Sequence, residues 1–130
     1  MRRKRIAVLT AQADEYIQER FLSGFFERAF ELDYDVCVFS MYLKYQDTCQ
    51  REIGDANIFN LVELDRYDAI VMFTDRIRTP GIAEGLLWRI KQEFSGPVLV
   101  MEDYVDGYDS INIDHRRNMC ELTDHLIDLH

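Results

Sequence analysis

Residues 68–101 read DAIVMFTDRIRTPGIAEGLLWRIKQEFSGPVLVM, and this stretch decides the fold. Asp68 to Phe73 is a short apolar run with the length of a buried strand. Thr74 to Thr79 is a polar loop, and Pro80 suits the first turn of a helix, where its missing N–H costs nothing. Ile82, Leu86, Ile90 and Phe94 then recur every four residues, the spacing of one helix face. Ser95-Gly96-Pro97 stops the helix, and Val98 to Met101 is a second apolar run. Strand, helix and strand in alternation point to a parallel sheet with helices on its faces.

The same alternation extends both ways. Upstream, Ile6-Ala7-Val8-Leu9 reads as a buried first strand and Thr10 to Asp14 as the loop at its carboxyl end. Asp14 is a candidate N-cap for a helix whose residues Ile17, Phe21, Phe25 and Ala29 form a stripe that Leu22, Phe26 and Leu32 widen. Gly24 inside it costs about 1 kcal/mol relative to alanine and suggests a close contact with the sheet or with another chain. Tyr34 to Met41 reads as the second strand. Tyr42 to Ile53 has helical composition but a poor stripe; Gly54-Asp55 reads as a break and new N-cap before a short helix with Ile58, Leu61 and Val62. Downstream, Asp109 to Ile113 is a short fifth strand, and Asp114 caps a last helix carrying Met119, Leu122, Leu126 and Leu129. The expectation is one α/β domain over 1–130. Its sheet is doubly wound, Rossmann- or flavodoxin-like, with five mainly parallel strands in the order 2-1-3-4-5.

Composition excludes several classes of function. Apolar residues make up 48% and charged residues 30% of the 130, as in an ordinary globular chain with a real core. A net charge of −9 argues against a nucleic-acid surface, which needs a basic face. The one basic run, Arg2 to Arg5, reads as a solvated lead-in. Cys37, Cys49 and Cys120 are an odd set without CxxC spacing, which fits reduced thiols in the cytoplasm better than a disulfide framework or a zinc site. No apolar stretch approaches the roughly 20 residues that span a bilayer, and the charged start runs into too short an apolar run for a signal peptide.

The strand ends carry a mixed polar set: Gln12, Asp14, Glu15 and Tyr16 after the first run, Ser40 and Tyr42 after the second, Thr74, Asp75 and Arg76 after the third, Glu102, Asp103 and Tyr104 after the fourth, and Asp114 after the fifth. In open α/β sheets ligands sit beyond the carboxyl ends of the strands. Carboxylates, an arginine, an amide and aromatic rings suit a small polyhydroxylated or amine-bearing ligand. Enzyme signatures are absent from the sequence. No glycine-rich loop follows the first strand, no serine sits in GxSxG, and His115, His125 and His130 lack HExxH spacing. Catalytic residues, metal ligands and a cofactor are therefore not expected. Two alternatives remain open at this point: a flavodoxin-like enzyme or flavin carrier, and a receiver-like signalling module with Asp75 as phosphoacceptor, although no acid pair follows Leu9.

Several segments resemble, in order, the lactose-repressor-like and periplasmic sugar-binding proteins. Leu22-Ser23-Gly24-Phe25 with Leu32-Asp33-Tyr34-Asp35-Val36 is similar to their LRGIEEAARELGYDV segment. Tyr67-Asp68-Ala69-Ile70-Val71 resembles VDGII, Pro97 to Glu102 resembles PVVLID, and the stretch from Asp114 to Leu129 resembles the segment ending HLIELGH. The resemblance implies the amino-terminal lobe of a two-lobed ligand-binding domain, with the chain stopping where such proteins cross to a second lobe. It also implies an output module further along and ligand-side residues Asp14, Glu15, Tyr16, Asp75, Glu102 and Asp114. Departures are Glu15-Tyr16-Ile17-Gln18 at the NPFF position, Asp103 where an arginine often stands, and Asn118 in place of a glycine of the last helix. Asn57-Ile58-Phe59-Asn60-Leu61 is similar to sensor lobes that precede GGDEF diguanylate cyclase domains. The expected function is sensing of a small polar, sugar-like molecule by a cytoplasmic transcriptional regulator or signalling protein. The lobe itself would be non-catalytic and touch neither nucleic acid nor membrane. The resemblance together with the surplus of aromatic residues around Phe26, Phe30 and Phe94 implies a homodimer.

Overall fold

The computed structural model describes residues 2–42 and 48–129; Met1, His130 and part of the ambiguous stretch after Tyr42 lie outside the described residues. The elements run β1 (Lys4–Ala11), α1 (Tyr16–Glu31), β2 (Tyr34–Met41), α2 (Cys49–Ala56), two 3-10 turns (Asn57–Leu61 and Leu64–Arg66), β3 (Ala69–Met72), α3 (Ile82–Glu93), β4 (Val98–Met101), β5 (Asp109–Ile111) and α4 (His115–Leu129). The sheet has the order β2-β1-β3-β4-β5, and each neighbouring pair is parallel. β1 lies between β2 and β3, so Ala7, Val8 and Leu9 are wholly buried, as expected for a strand covered on both faces.

Side-chain alternation along the strands sorts the core into two layers. On one face Ala7, Leu9, Ile70 and Met72 pack with Phe59 of the first 3-10 turn and with Ala83, Leu86 and Ile90 of α3. Arg89 ties this layer together, because Nη2 donates to the Val62 carbonyl at 2.6 Å and Nη1 to that of Phe59 at 3.3 Å. On the other face Val8, Val71, Phe73 and Met101 pack with Leu22, and Phe21 and Phe25 close over them. Phe21 meets Phe73 edge-on, with centroids 4.8 Å apart.

Several local readings are corrected. The α1 row that faces the sheet includes Gln18, Leu22 and Ala29, while Ile17 is exposed. Buried Gln18 accepts through Oε1 from Thr10 Oγ1 at 2.8 Å, while its Nε2 is buried with no partner among the described residues, so a half-satisfied polar pair replaces one rung of the apolar stripe. Asp14 is not the cap of α1. Gln12 takes φ 55°, Glu15 N donates to the Gln12 carbonyl at 3.0 Å, and this turn delays the helix until Glu15 is the N-cap. Pro80 precedes α3 rather than opening it, since Gly81 takes the N-cap position at φ 81°, a conformation open to glycine and closed to most side chains. Gly54-Asp55 does not interrupt α2, and the Asp55 carboxylate accepts from Tyr42 N at 2.8 Å instead of capping a new helix. Gly24 makes no close approach, as nothing lies within 4 Å of where its Cβ would be.

The largest departure is at the end of the chain. β5 is only three residues long, and α4 buries none of its side chains. Met119, Leu122, Leu126 and Leu129, the expected inner row, stand in solvent. Periodicity correctly locates the helix, but a row of apolar residues says nothing about which surface will cover it. On α1, Phe26 and Phe30 are exposed, whereas Phe94 packs against the core.

Candidate functional site

Parallel strands bring their carboxyl ends to one edge, and the chain leaves β1 and β4 there through unusual backbone. Gln12 and Glu102 are both left-handed, with φ 55° and 57°, a conformation uncommon for non-glycine residues. Glu102 is anchored by its N–H, which donates to the Ile111 carbonyl at 2.8 Å. A cavity of about 330 Å³ opens at this edge, lined by Ile17, Asp75, Arg76, Glu102, Asn112, Ile113 and His115.

Arg76 organises the charges. Its Nη1 lies 3.0 Å from Glu15 Oε2 and its Nε 3.9 Å from Asp75 Oδ2. Asp75 Oδ1 and Arg76 Nε are buried and have no hydrogen-bond partner among the described residues. Buried polar atoms are almost always paired, so these two are poised to take a bond from something outside the chain. Burial pushes the Asp75 carboxyl above its ordinary value. The charges of Glu102 and Asp103 add to this, and those of Arg76 and Arg78 oppose it. Asp103 itself is committed, since its Oδ2 accepts from Thr74 Oγ1 and its Oδ1 from Tyr104 N.

The structure therefore brings Asp75 and Glu102 together in one cavity, with Glu15 joined to it through Arg76. Asp14, Tyr16 and Asp114 do not line that cavity. Tyr16 is exposed, with the Arg20 guanidinium 5.7 Å from its ring centroid. Asp114 Oδ1 accepts from Arg117 N at 2.9 Å and so serves as the N-cap of α4. Ile17, Asn112, Ile113 and His115 join the lining without having been singled out. The polar break in Ile111-Asn112-Ile113 was the one local sign of a turn toward the edge. Chemically, the cavity offers two carboxylate acceptors, a guanidinium donor, an amide and two isoleucine walls. These groups suit binding of a small polar molecule; they hold no paired nucleophile and base. Among the described residues no group of three or more His, Cys, Asp or Glu could hold a metal ion, and no helix is long and apolar enough to cross a membrane.

No protein-family model and no curated protein matches this sequence. Solved structures do match in shape. The LacI family transcriptional regulator CCPA from Weissella paramesenteroides with bound sucrose superposes with a TM-score of 0.70 at 13% identity, over 96% of this chain and 42% of that one. The same regulator with bound glucose gives a TM-score of 0.69 at 12% identity, over the same shares of the two chains. The chain thus spans less than half the length of these regulators, and at such identity the likeness is one of fold. The order and direction of the strands, the helices on both sheet faces and this match together give the chain the α/β fold of the matched part of those LacI family regulators.

Proposed function

We propose that this chain is one lobe of a two-lobed sensor for a small polar, sugar-like ligand, non-catalytic in itself and working within a regulatory or signalling protein. The observation that carries the reading is the strand-end cavity in which Asp75, Arg76 and Glu102 converge with two polar atoms left unpaired. Two solved neighbours of this fold hold sucrose and glucose. The solvent-facing apolar row of α4 is the kind of surface a second lobe would cover. Output would then lie in another module, a DNA-reading one or, on the likeness of residues 57–61, a GGDEF cyclase. Three unpaired cysteines fit a reducing, cytoplasmic setting.

The test is a ¹⁵N-NMR titration of the chain with glucose, sucrose and glucosamine. A site buries about 70–90% of its ligand when complete, so one lobe is expected to bind weakly, with shifts concentrated at Ile17, Asp75, Arg76, Glu102 and Asn112. Shifts that avoid these residues with every probe would remove the cavity from consideration as the ligand site.

A further inference from the structure

If the strand-end cavity is a ligand site, as proposed above, its charge balance narrows the class of ligand. Two carboxylates, Asp75 and Glu102, line it against one guanidinium, that of Arg76. That guanidinium is already engaged, 3.0 Å from the Glu15 carboxylate. Arg78 Nε donates to the Asp75 backbone carbonyl at 3.0 Å, and Arg78 lines a separate cavity with Asp103 and Thr74. His115 completes the lining. Glu15, Asp75 and Glu102 against Arg76 leave an excess of negative charge, and Asp75 Oδ1 is buried with no donor to meet it.

A neutral hydroxyl would supply a donor to that oxygen but would leave the charge uncompensated. An ammonium supplies up to three donors and also offsets the charge. An anionic ligand would have to approach the Glu102 carboxylate and an Asp75 whose ionisation is already disfavoured, by burial first and by the Glu102 charge second. We propose that the ligand is a hydroxylated small molecule carrying a protonated amine, an amino sugar or amino polyol, with its ammonium received between Asp75 and Glu102 and its hydroxyls facing Arg76 and Asn112.

The test compares glucosamine, N-acetylglucosamine and glucose, which share one ring and differ in charge at a single position. The titrations are run at about pH 6.5, below the ~7.7–8.0 of an α-type amine, and read by ¹⁵N-NMR of the whole chain. Glucosamine is expected to bind about tenfold more tightly than glucose, and N-acetylglucosamine no better than glucose. Asp75→Asn and Glu102→Gln should each shrink the preference for glucosamine over glucose to within about threefold. Equal affinities for the three sugars, or a preference that both variants retain, would overturn the proposal and leave the ligand-lobe reading standing. No shift at the cavity with any of the three would overturn both.

Discussion

The sharpest expectation concerns two leucines on two helices. Leu86 on α3 is 8% exposed within the core layer, whereas Leu126 on α4 is 59% exposed. Truncating a buried leucine to alanine loses its transfer free energy and leaves a cavity, together about 2–5 kcal/mol. Leu86→Ala should therefore cost at least about 2 kcal/mol, which for a domain of this size lowers Tm by roughly 10 °C. Leu126 has withdrawn less than half of its surface from water and has no enclosing wall, so no cavity forms on truncation. About 40% of a fully buried leucine's ~2 kcal/mol is the most that burial could contribute. Alanine's better helix propensity offsets a few tenths of that. Leu126→Ala should change stability by less than about 0.5 kcal/mol. Urea unfolding of both variants of this chain, followed by circular dichroism, measures the pair. A cost for Leu126→Ala equal to that of Leu86→Ala would show that α4 packs against the sheet, and would remove the exposed row that supports a second lobe. In a longer protein containing the second lobe, the same substitution should become costly.

Two further outcomes follow from the site and the sheet. The folded-state value of Asp75 is raised above its unfolded value of 3.8, so its contribution is favourable while it is protonated and is lost as pH rises through the folded value. Asp75→Asn should therefore raise Tm at neutral pH, with the gain vanishing below about pH 4. Melting curves at the two pH values check the sign, and a variant less stable at neutral pH would show that the half-buried Arg76 contact outweighs the burial. A Cβ at Gly96 would lie 2.6 Å from Phe94 Cζ and 2.9 Å from the Asp68 carbonyl oxygen. Gly96→Ala should cost about 1–3 kcal/mol as overpacking, whereas Gly24→Ala, in open space within α1, should gain about 0.5–1 kcal/mol. Denaturation midpoints that move the same way in both variants would refute the reasoning.

Much of the architecture was legible because its signals are local and periodic. Tyr34–Met41 and Val98–Met101 are strands with the expected bounds, and the order 2-1-3-4-5 followed from crossover helices long enough to join parallel strands and from the right-handed rule that restricts the choices. Helix phase was less legible. Of the run Ile17, Phe21, Phe25 and Ala29, the last three pack inward as expected, but in the first turn Gln18 takes the inward place on Thr10 and Ile17 lines the cavity. Asp14, Asp75 and Asp114 look alike in sequence, each following an apolar run. Only Asp75 is drawn beneath neighbouring carboxylates with an oxygen unpaired, while Asp114 is used by its own helix.

The sequence by itself determined the elements, the parallel sheet and the edge at which polar groups gather, because strand and helix periods are properties of adjacent residues. Only the tertiary structure decided which of those groups share a cavity, what charge the cavity carries and that α4 stands uncovered. Burial, pairing and desolvation depend on residues such as Glu15, Asp75 and Glu102 that lie far apart along the chain and meet only once the strands are aligned.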